Sequence, residues 1–238
     1  VRVEVLDFVA GARAATGLAI VIDVFRAFSL ACYATARGAR VLPVAAIEAA
    51  LELRRRHPDW LLAGERHARQ LPGFDFGNSP TQVEAADLAG RTLVHTTHAG
   101  TQGLVNACGA DEVLTGSLVN AAALVRYARR RAPAGVSLVR MGHEAAARCA
   151  EDDLCADLLY ARLADDTPWD GPALPRDAAE VRARLRDAPA ARKFFDPAAT
   201  WAPAGDFDRC TALDRFDFVL RLAPPDSEGL RFLERVAA

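Results

Sequence analysis

The sequence predicts a three-layer α/β/α fold on a largely parallel or mixed sheet. Three observations carry that expectation. Strand-length apolar runs alternate with helix-length segments from the start of the chain to about Asp165, the layout of an α/β layer fold. The strongest apolar run, residues 18–25, is strand-sized and holds an acid, Asp23. Several candidate strands end in polar residues, and in parallel α/β sheets ligands bind beyond the carboxyl ends of strands.

The elements follow in order. Residues 1–8, Val-Arg-Val-Glu-Val-Leu-Asp-Phe, alternate as a strand does and lack the layout of a signal peptide. Further strands are expected over 18–24, 40–44, 60–64, 92–96, 112–115 and 136–141. Apolar residues recur at three and four over 28–37, 45–56, 81–88, 102–108, 120–131 and 152–163, which predicts helices. Residues 166–175 hold three prolines and a glycine and read as a loop. A charged, exposed helix is expected over 176–187, and an irregular stretch over 189–203. A late strand is expected over 215–222 and a closing helix over 226–236. The chain reads as one domain, 1–238, with a C-terminal subdomain over 166–238 as the alternative.

Composition excludes several classes of function. Of 238 residues, 51% are hydrophobic and 25% charged, an ordinary globular balance. A net charge of −2 offers no global field for nucleic acid. No apolar run approaches the ~18 residues of a membrane span. The five cysteines are widely spaced with no CxxC pair, so a cytoplasmic setting with free, mostly buried thiols is expected. Lys193 is the one lysine among 29 basic residues. That bias reads as genome composition, so an arginine's meaning must come from its place. A homodimer is the default assembly.

Chemistry gathers at the strand ends. Asp23 ends one strand and Arg26 follows three residues on; Glu65-Arg66 repeats the acid-then-arginine pattern at another. A buried acid is costly unless paired or metal-bound, so each pair reads either as a structural ion pair or as a ligand carboxylate beside an anion-binding guanidinium. Asn78-Ser79-Pro80 is a good helix start, with N–H groups that suit a phosphate or sulfonate, or simply a capped helix. The run Thr96-Thr97-His98-Ala99-Gly100-Thr101 joins a strand to a helix and reads as an anion loop or a tight turn. His98 within it reads as a solvated loop histidine or an acid–base group. Glu151-Asp152-Asp153 opens a helix, where acids complement the dipole or complete a magnesium site. Walker, GxGxxG, HExxH and GxSxG motifs are all absent.

These segments, in this order, resemble the 2-phosphosulfolactate phosphatase family, which is associated with coenzyme M biosynthesis. The matching pieces are Val21-Ile22-Asp23-Val24-Phe25-Arg26-Ala27, Leu62-Ala63-Gly64-Glu65-Arg66, Gly73-Phe74-Asp75-Phe76-Gly77-Asn78-Ser79-Pro80, Thr96 to Thr101, Gly116-Ser117-Leu118-Val119-Asn120-Ala121, Glu151-Asp152 and Cys210 to Phe218. The resemblance implies a phosphoric monoester hydrolase that is magnesium-dependent and acts on a small anionic 2-phospho acid. It carries the polar blocks onto Asp23, Arg26, Glu65, Arg66, Asn78, Ser79, Thr97, Gly100, Thr101, Asn120, Glu151 and Asp152.

The division of labour expected is as follows. Asp23 and Asp152 bind Mg2+, with Glu65 or Glu151 as general base. Arg26 and Arg66 clamp the phosphoryl oxygens. Thr97, Gly100 and Thr101 supply donors, and the helix start at Ser79 takes the substrate's carboxylate or sulfonate. Asn78 and Asn120 complete the substrate site. Two departures bear on substrate: Ala99 stands where the family loop carries asparagine, and Phe28 where a hydroxyl run is usual. The alternatives are a phosphatase for another small ester, or a binder of small anions that does not hydrolyse them. A purely structural or interaction protein ranks behind both, because it leaves the polar strand ends without a purpose.

Overall fold

The computed structural model describes residues 1–164 and 169–238. Its core is a mixed sheet of ten strands in the order β1-β8-β2-β7-β9-β10-β3-β6-β4-β5. The strands are β1 (Arg2–Asp7), β2 (Leu18–Ile22), β3 (Arg40–Pro43), β4 (Leu61–Arg66), β5 (Arg69–Gln70), β6 (Thr92–Thr96), β7 (Glu112–Gly116), β8 (Gly135–Arg140), β9 (Phe218–Leu222) and β10 (Leu233–Ala237). The helices are α1 (Phe8–Ala14), α2 (Ala27–Ala36), α3 (Ile47–Arg56), α4 (Pro80–Ala85), α5 (Gly100–Asn106), α6 (Ala121–Arg131), α7 (Ala150–Leu163), α8 (Ala178–Leu185) and α9 (Ala204–Cys210). Among the described residues no helix is long and apolar enough to cross a membrane.

Strand β2 shows why the layers form. All five of its residues are buried, so both faces must be covered. Leu18, Ile20 and Ile22 pack into a cluster with Leu124, Leu158 and Leu159 of α6 and α7. Ala19 and Val21 point the other way, into a cluster with residues of α1, α2 and α5. In the other half of the sheet, Leu42, Leu62 and Val94 meet Ala50 and Leu53 of α3. Helices thus cover both faces, as the three-layer expectation requires. Val181 and Leu185 of α8, Phe194, Phe207 of α9 and Val219 of β9 join the same cluster as Leu18.

The sheet is two parallel sets rather than one. β1, β8, β2 and β7 are mutually parallel, and so are β3, β6 and β4. The antiparallel hairpin β9–β10 joins them, through one residue pair on each side, Leu114–Arg221 and Leu233–Val41. Traced through these pairings, the second set runs opposite to the first. Six pairings separate β2 from β4. At roughly 20–25° of twist per pairing, about 120–150° accumulates and turns the opposed strands back toward a common direction. The carboxyl ends of β2, β4, β6 and β8 therefore meet.

Four elements differ from expectation. The closing helix expected over 226–236 is instead a turn followed by β10. Asp226 Oδ1 accepts from the Glu228 and Leu230 N–H groups, and β9 offers a ladder partner that a helix could not use. Strand β1 stops at Asp7 because Phe8 takes a left-handed φ of 61° and opens α1, a helix the alternating pattern hid. Helix α9 lies beyond the irregular stretch expected over 189–203, in a segment with no strong period. The helix expected to be exposed over 176–187 buries Val181 and Leu185. Part of the loop expected over 166–175 lies outside the described residues.

Candidate active site

Asp23 stands directly after β2, where the chain leaves the sheet for α2. Its Oδ1 accepts from the Ala27 N–H at 3.3 Å, and the Gly100 N–H also bonds the carboxylate. The starts of α2 and α5 thus both aim N–H groups at one acid. Position 100 requires glycine, because a Cβ there would lie 2.7 Å from Asp23 Oδ2.

Two further acids act as clasps between loops. Asp152, in the first turn of α7, accepts from the Val24 and Gly142 N–H groups, both at 2.8 Å. It ties the loop after β2 to the loop after β8. Gly142 can turn there because its φ is 64°, and a side chain would strike the Ala147 carbonyl. Glu65, near the end of β4, accepts from the Ala68 and His98 N–H groups, both at 2.8 Å. Glu151 differs: its Oε2 is buried with no hydrogen-bond partner.

These four acids wall one cavity with Arg26, Asn78, Ala99, Cys149 and Lys193. Their charges repel in a place water cannot screen. Burial, reinforced by the charges of Asp152 and Glu65, pushes Asp23 up to about 8 despite its two N–H donors. Burial and the Glu151 charge push Asp152 up to about 7. Burial raises Glu151 as well. Such a cluster holds either extra protons or a cation. Its donors are all carboxylate oxygens, which suit a hard divalent cation, and the unpartnered Glu151 oxygen stays free for a water or a proton.

Lys193 adds positive charge to the same cavity. Burial and the nearby Arg26 lower its pKa, and Glu151 partly restores it. Arg26 is almost fully buried and largely committed. Its Nη1 donates to Asp206 at 2.7 Å and to the Trp201 carbonyl at 2.9 Å; its Nη2 donates to the Ala68 carbonyl at 3.0 Å. Asn78 is fixed from behind: His95 Nε2 donates to its Oδ1 at 3.2 Å. Burial drives His95 down to about 4, so the ring is neutral at physiological pH.

Of the residues expected in the site, the structure brings together Asp23, Arg26, Glu65, Asn78, Glu151 and Asp152. The others stand back from the cavity. Arg66 donates to the carbonyls of Glu65 and Ala45 and to Thr96 Oγ1, outside the cavity wall. The start of α4, expected to take a substrate anion, already holds one of the protein's own. Ser79 Oγ–H and the Thr81 N–H both donate to Asp206 Oδ1, at 2.7 and 2.9 Å. Thr97 and Thr101 close on each other: each hydroxyl oxygen accepts the other's N–H. Gly100 serves Asp23 from behind. Asn120 donates to the Phe218 carbonyl, in the 3₁₀ turn Leu118–Asn120.

Sequence reasoning missed Lys193, Asp206 and Cys149. Lys193 had a signal, as the chain's one lysine. Asp206 had none, since its partners lie 125 to 180 residues away. Cys149 precedes α7, and burial with the Asp152 and Glu151 charges pushes its thiol far up, which disfavours a thiolate nucleophile. Of the two departures, Ala99 faces the cavity and Phe28 is buried in the core.

A model of the 2-phosphosulpholactate phosphatase family matches residues 7–224. A protein of Deinococcus radiodurans is 36% identical over 91% of this chain and 93% of its own length. One of Symbiobacterium thermophilum is 37% identical over 62% of this chain and 64% of its own. One of Caldanaerobacter subterraneus is 40% identical over 45% of this chain and 46% of its own. All three carry the name probable 2-phosphosulfolactate phosphatase. The match thus spans under two thirds of the latter two relatives and nearly all of the first.

Proposed function

The chain belongs to the 2-phosphosulpholactate phosphatase family, and from that premise we propose that it hydrolyses a small 2-phospho acid, 2-phosphosulfolactate foremost, in a magnesium-dependent reaction. The observation that carries this reading is the buried set Asp23, Glu65, Glu151 and Asp152 sharing one cavity with Lys193. Asp23 and Asp152 would hold the magnesium, with the free oxygen of Glu151 beside them. When bound, the metal neutralises phosphate charge and acidifies water.

The chain's own residues account for the rest. Lys193 and the uncommitted donors of Arg26 draw in the phosphoryl oxygens and stabilise their growing charge. Glu151 takes the proton of the attacking water at Oε2; its raised pKa makes it a stronger base than an ordinary carboxylate. Glu65 suits that task less, because both its oxygens already hold N–H groups. Asn78, fixed by His95, orients the substrate from the side. The water oxygen bonds to phosphorus as the bond from phosphorus to the ester oxygen breaks, and the leaving oxygen takes up the proton that Glu151 accepted, giving the hydroxy acid and phosphate.

The test is phosphate release from 2-phosphosulfolactate with magnesium and with EDTA, alongside Asp23→Asn, phospholactate and phosphoglycerate. Metal-dependent release from the sulfonated ester, lost in the variant, supports the reading. Release only from another ester keeps the mechanism and replaces the substrate. Ligand-dependent melting without phosphate release from folded protein sinks the hydrolase reading and favours an anion binder.

A further inference from the structure

Three side chains with no part in that reaction stand together at the lip of the cavity. His67 comes from the turn between β4 and β5, His98 from the loop after β6, and Glu144 from the loop after β8. One donor atom of each lies within 4.8 Å of the other two. His67 Nδ1 is 2.6 Å from Glu144 Oε1, and the rings of His67 and His98 are 5.2 Å apart. His143 Nε2 is 4.0 Å from the same Glu144 oxygen.

An ion pair between His67 and Glu144 explains only part of this. His67 is 71% exposed, and exposed pairs contribute little. The pair also leaves out His98, whose Nδ1 is buried with no hydrogen-bond partner. A buried nitrogen in that condition is costly unless something else satisfies it. The His98 backbone is meanwhile held by Glu65, which fixes the ring's root in place.

We propose that His67, His98 and Glu144 bind one divalent transition-metal ion of the zinc class, separate from the carboxylate cluster. Two imidazoles and a carboxylate from converging loops are a donor set for Zn2+ or Co2+, whereas Mg2+ prefers oxygen alone. With bonds of about 2.0–2.1 Å, tetrahedral ligand atoms stand about 3.3 Å apart. The His67–Glu144 contact opens slightly to admit the ion, and His98 closes on it. The ion takes the place of the proton that His67 and Glu144 share, and that proton leaves to solvent. Three protein ligands leave a fourth position for water or a ligand oxygen. Because His98 and Glu144 also line the cavity, the ion adds positive charge at the mouth of an acidic site.

The test uses metal-stripped full-length protein titrated with Co2+, with excess Mg2+ present to occupy the carboxylate cluster. One equivalent is expected to bind with the visible absorption of nitrogen-coordinated cobalt, and zinc is expected to abolish it. His67→Asn, which suits the left-handed φ of 53° at that position, and Glu144→Gln are each expected to weaken cobalt binding by at least ~10-fold. Both positions are peripheral, and circular dichroism verifies the fold. Absence of the absorption in the wild type, or equal cobalt binding in both variants, overturns the proposal. No substrate enters the measurement, so its outcome is independent of the phosphatase reading.

Discussion

Lys193 brings one ammonium group to a cavity lined by five acids. If it meets the phosphoryl oxygens, Lys193→Met lowers kcat/KM for the phospho acid by ~10²-fold, and Lys193→Arg recovers part of the loss. Steady-state kinetics on the three proteins checks this; an unchanged kcat/KM in the methionine variant removes Lys193 from the site. Gly100 supports a second expectation. Its missing side chain leaves room for Asp23 Oδ2, so Gly100→Ala displaces a carboxylate from between two helix starts. Activity is expected to fall ~10-fold or more while circular dichroism stays native. Full activity in that variant contradicts the placement of Asp23. Asp23 itself was evident from sequence, because an acid in an apolar strand needs a reason. Lys193 was visible as a singleton, but its place in the cavity depends on the fold.

At the scale of elements, Asp206 of α9 joins two features that sequence reading treats separately. One of its oxygens pairs with Arg26 at 2.7 Å, and the other caps the start of α4 through Ser79 and Thr81. Both partners of the ion pair are buried, at 1% and 0% exposure, so removing one strands a charge. Asp206→Ala is expected to destabilise the protein by about 3–5 kcal/mol, a fall in Tm of about 6–20 °C for a domain of this size. Ser79→Ala removes the bond its hydroxyl accepts from the Gln82 N–H and the one it donates to Asp206, and is expected to cost about 1–2 kcal/mol. Thermal unfolding of both variants decides; a Tm near wild type for Asp206→Ala shows that the pair contributes nothing. The cap itself was predictable, since Ser79-Pro80 starts a helix by well-defined chemistry. Which anion meets that start was not, because the answer lies 127 residues further along the chain.

At the scale of the whole molecule, the twisted sheet gathers Asp23, Asp152 and Glu151 where water cannot screen them. Asp23 is raised to about 8 and Asp152 to about 7, both from 3.8. The folded protein therefore keeps protons that the unfolded chain has released. Their stabilising contribution is full below about pH 4 and is lost as pH rises through 7 to 8. The Tm of metal-free protein is expected to fall across that window, and Asp152→Asn to flatten the slope. A cation bound to the ionised cluster reverses the penalty, so magnesium is expected to raise Tm more at pH 8.5 than at pH 6. Scanning calorimetry with and without EDTA checks both; a magnesium effect independent of pH argues that the metal does not bind these acids.

The sequence by itself determined most of the element order, the family, and the four acids, because each rests on a local pattern. Strand alternation, helical recurrence, an acid at a strand end and a helix start with proline are all written within a few residues. Tertiary structure alone decided how those pieces are used. It turned two opposed strand sets so that their carboxyl ends meet, gave the C-terminal segment to a strand rather than a helix, and brought Lys193 into the cavity of the acids. It also committed much of Arg26 and the α4 start to Asp206, and drew Arg66 onto backbone carbonyls. The physical reason is that hydrogen-bond partners and burial are settled by long-range packing. A guanidinium in sequence is a set of unassigned donors, and only the folded chain shows which of them remain free.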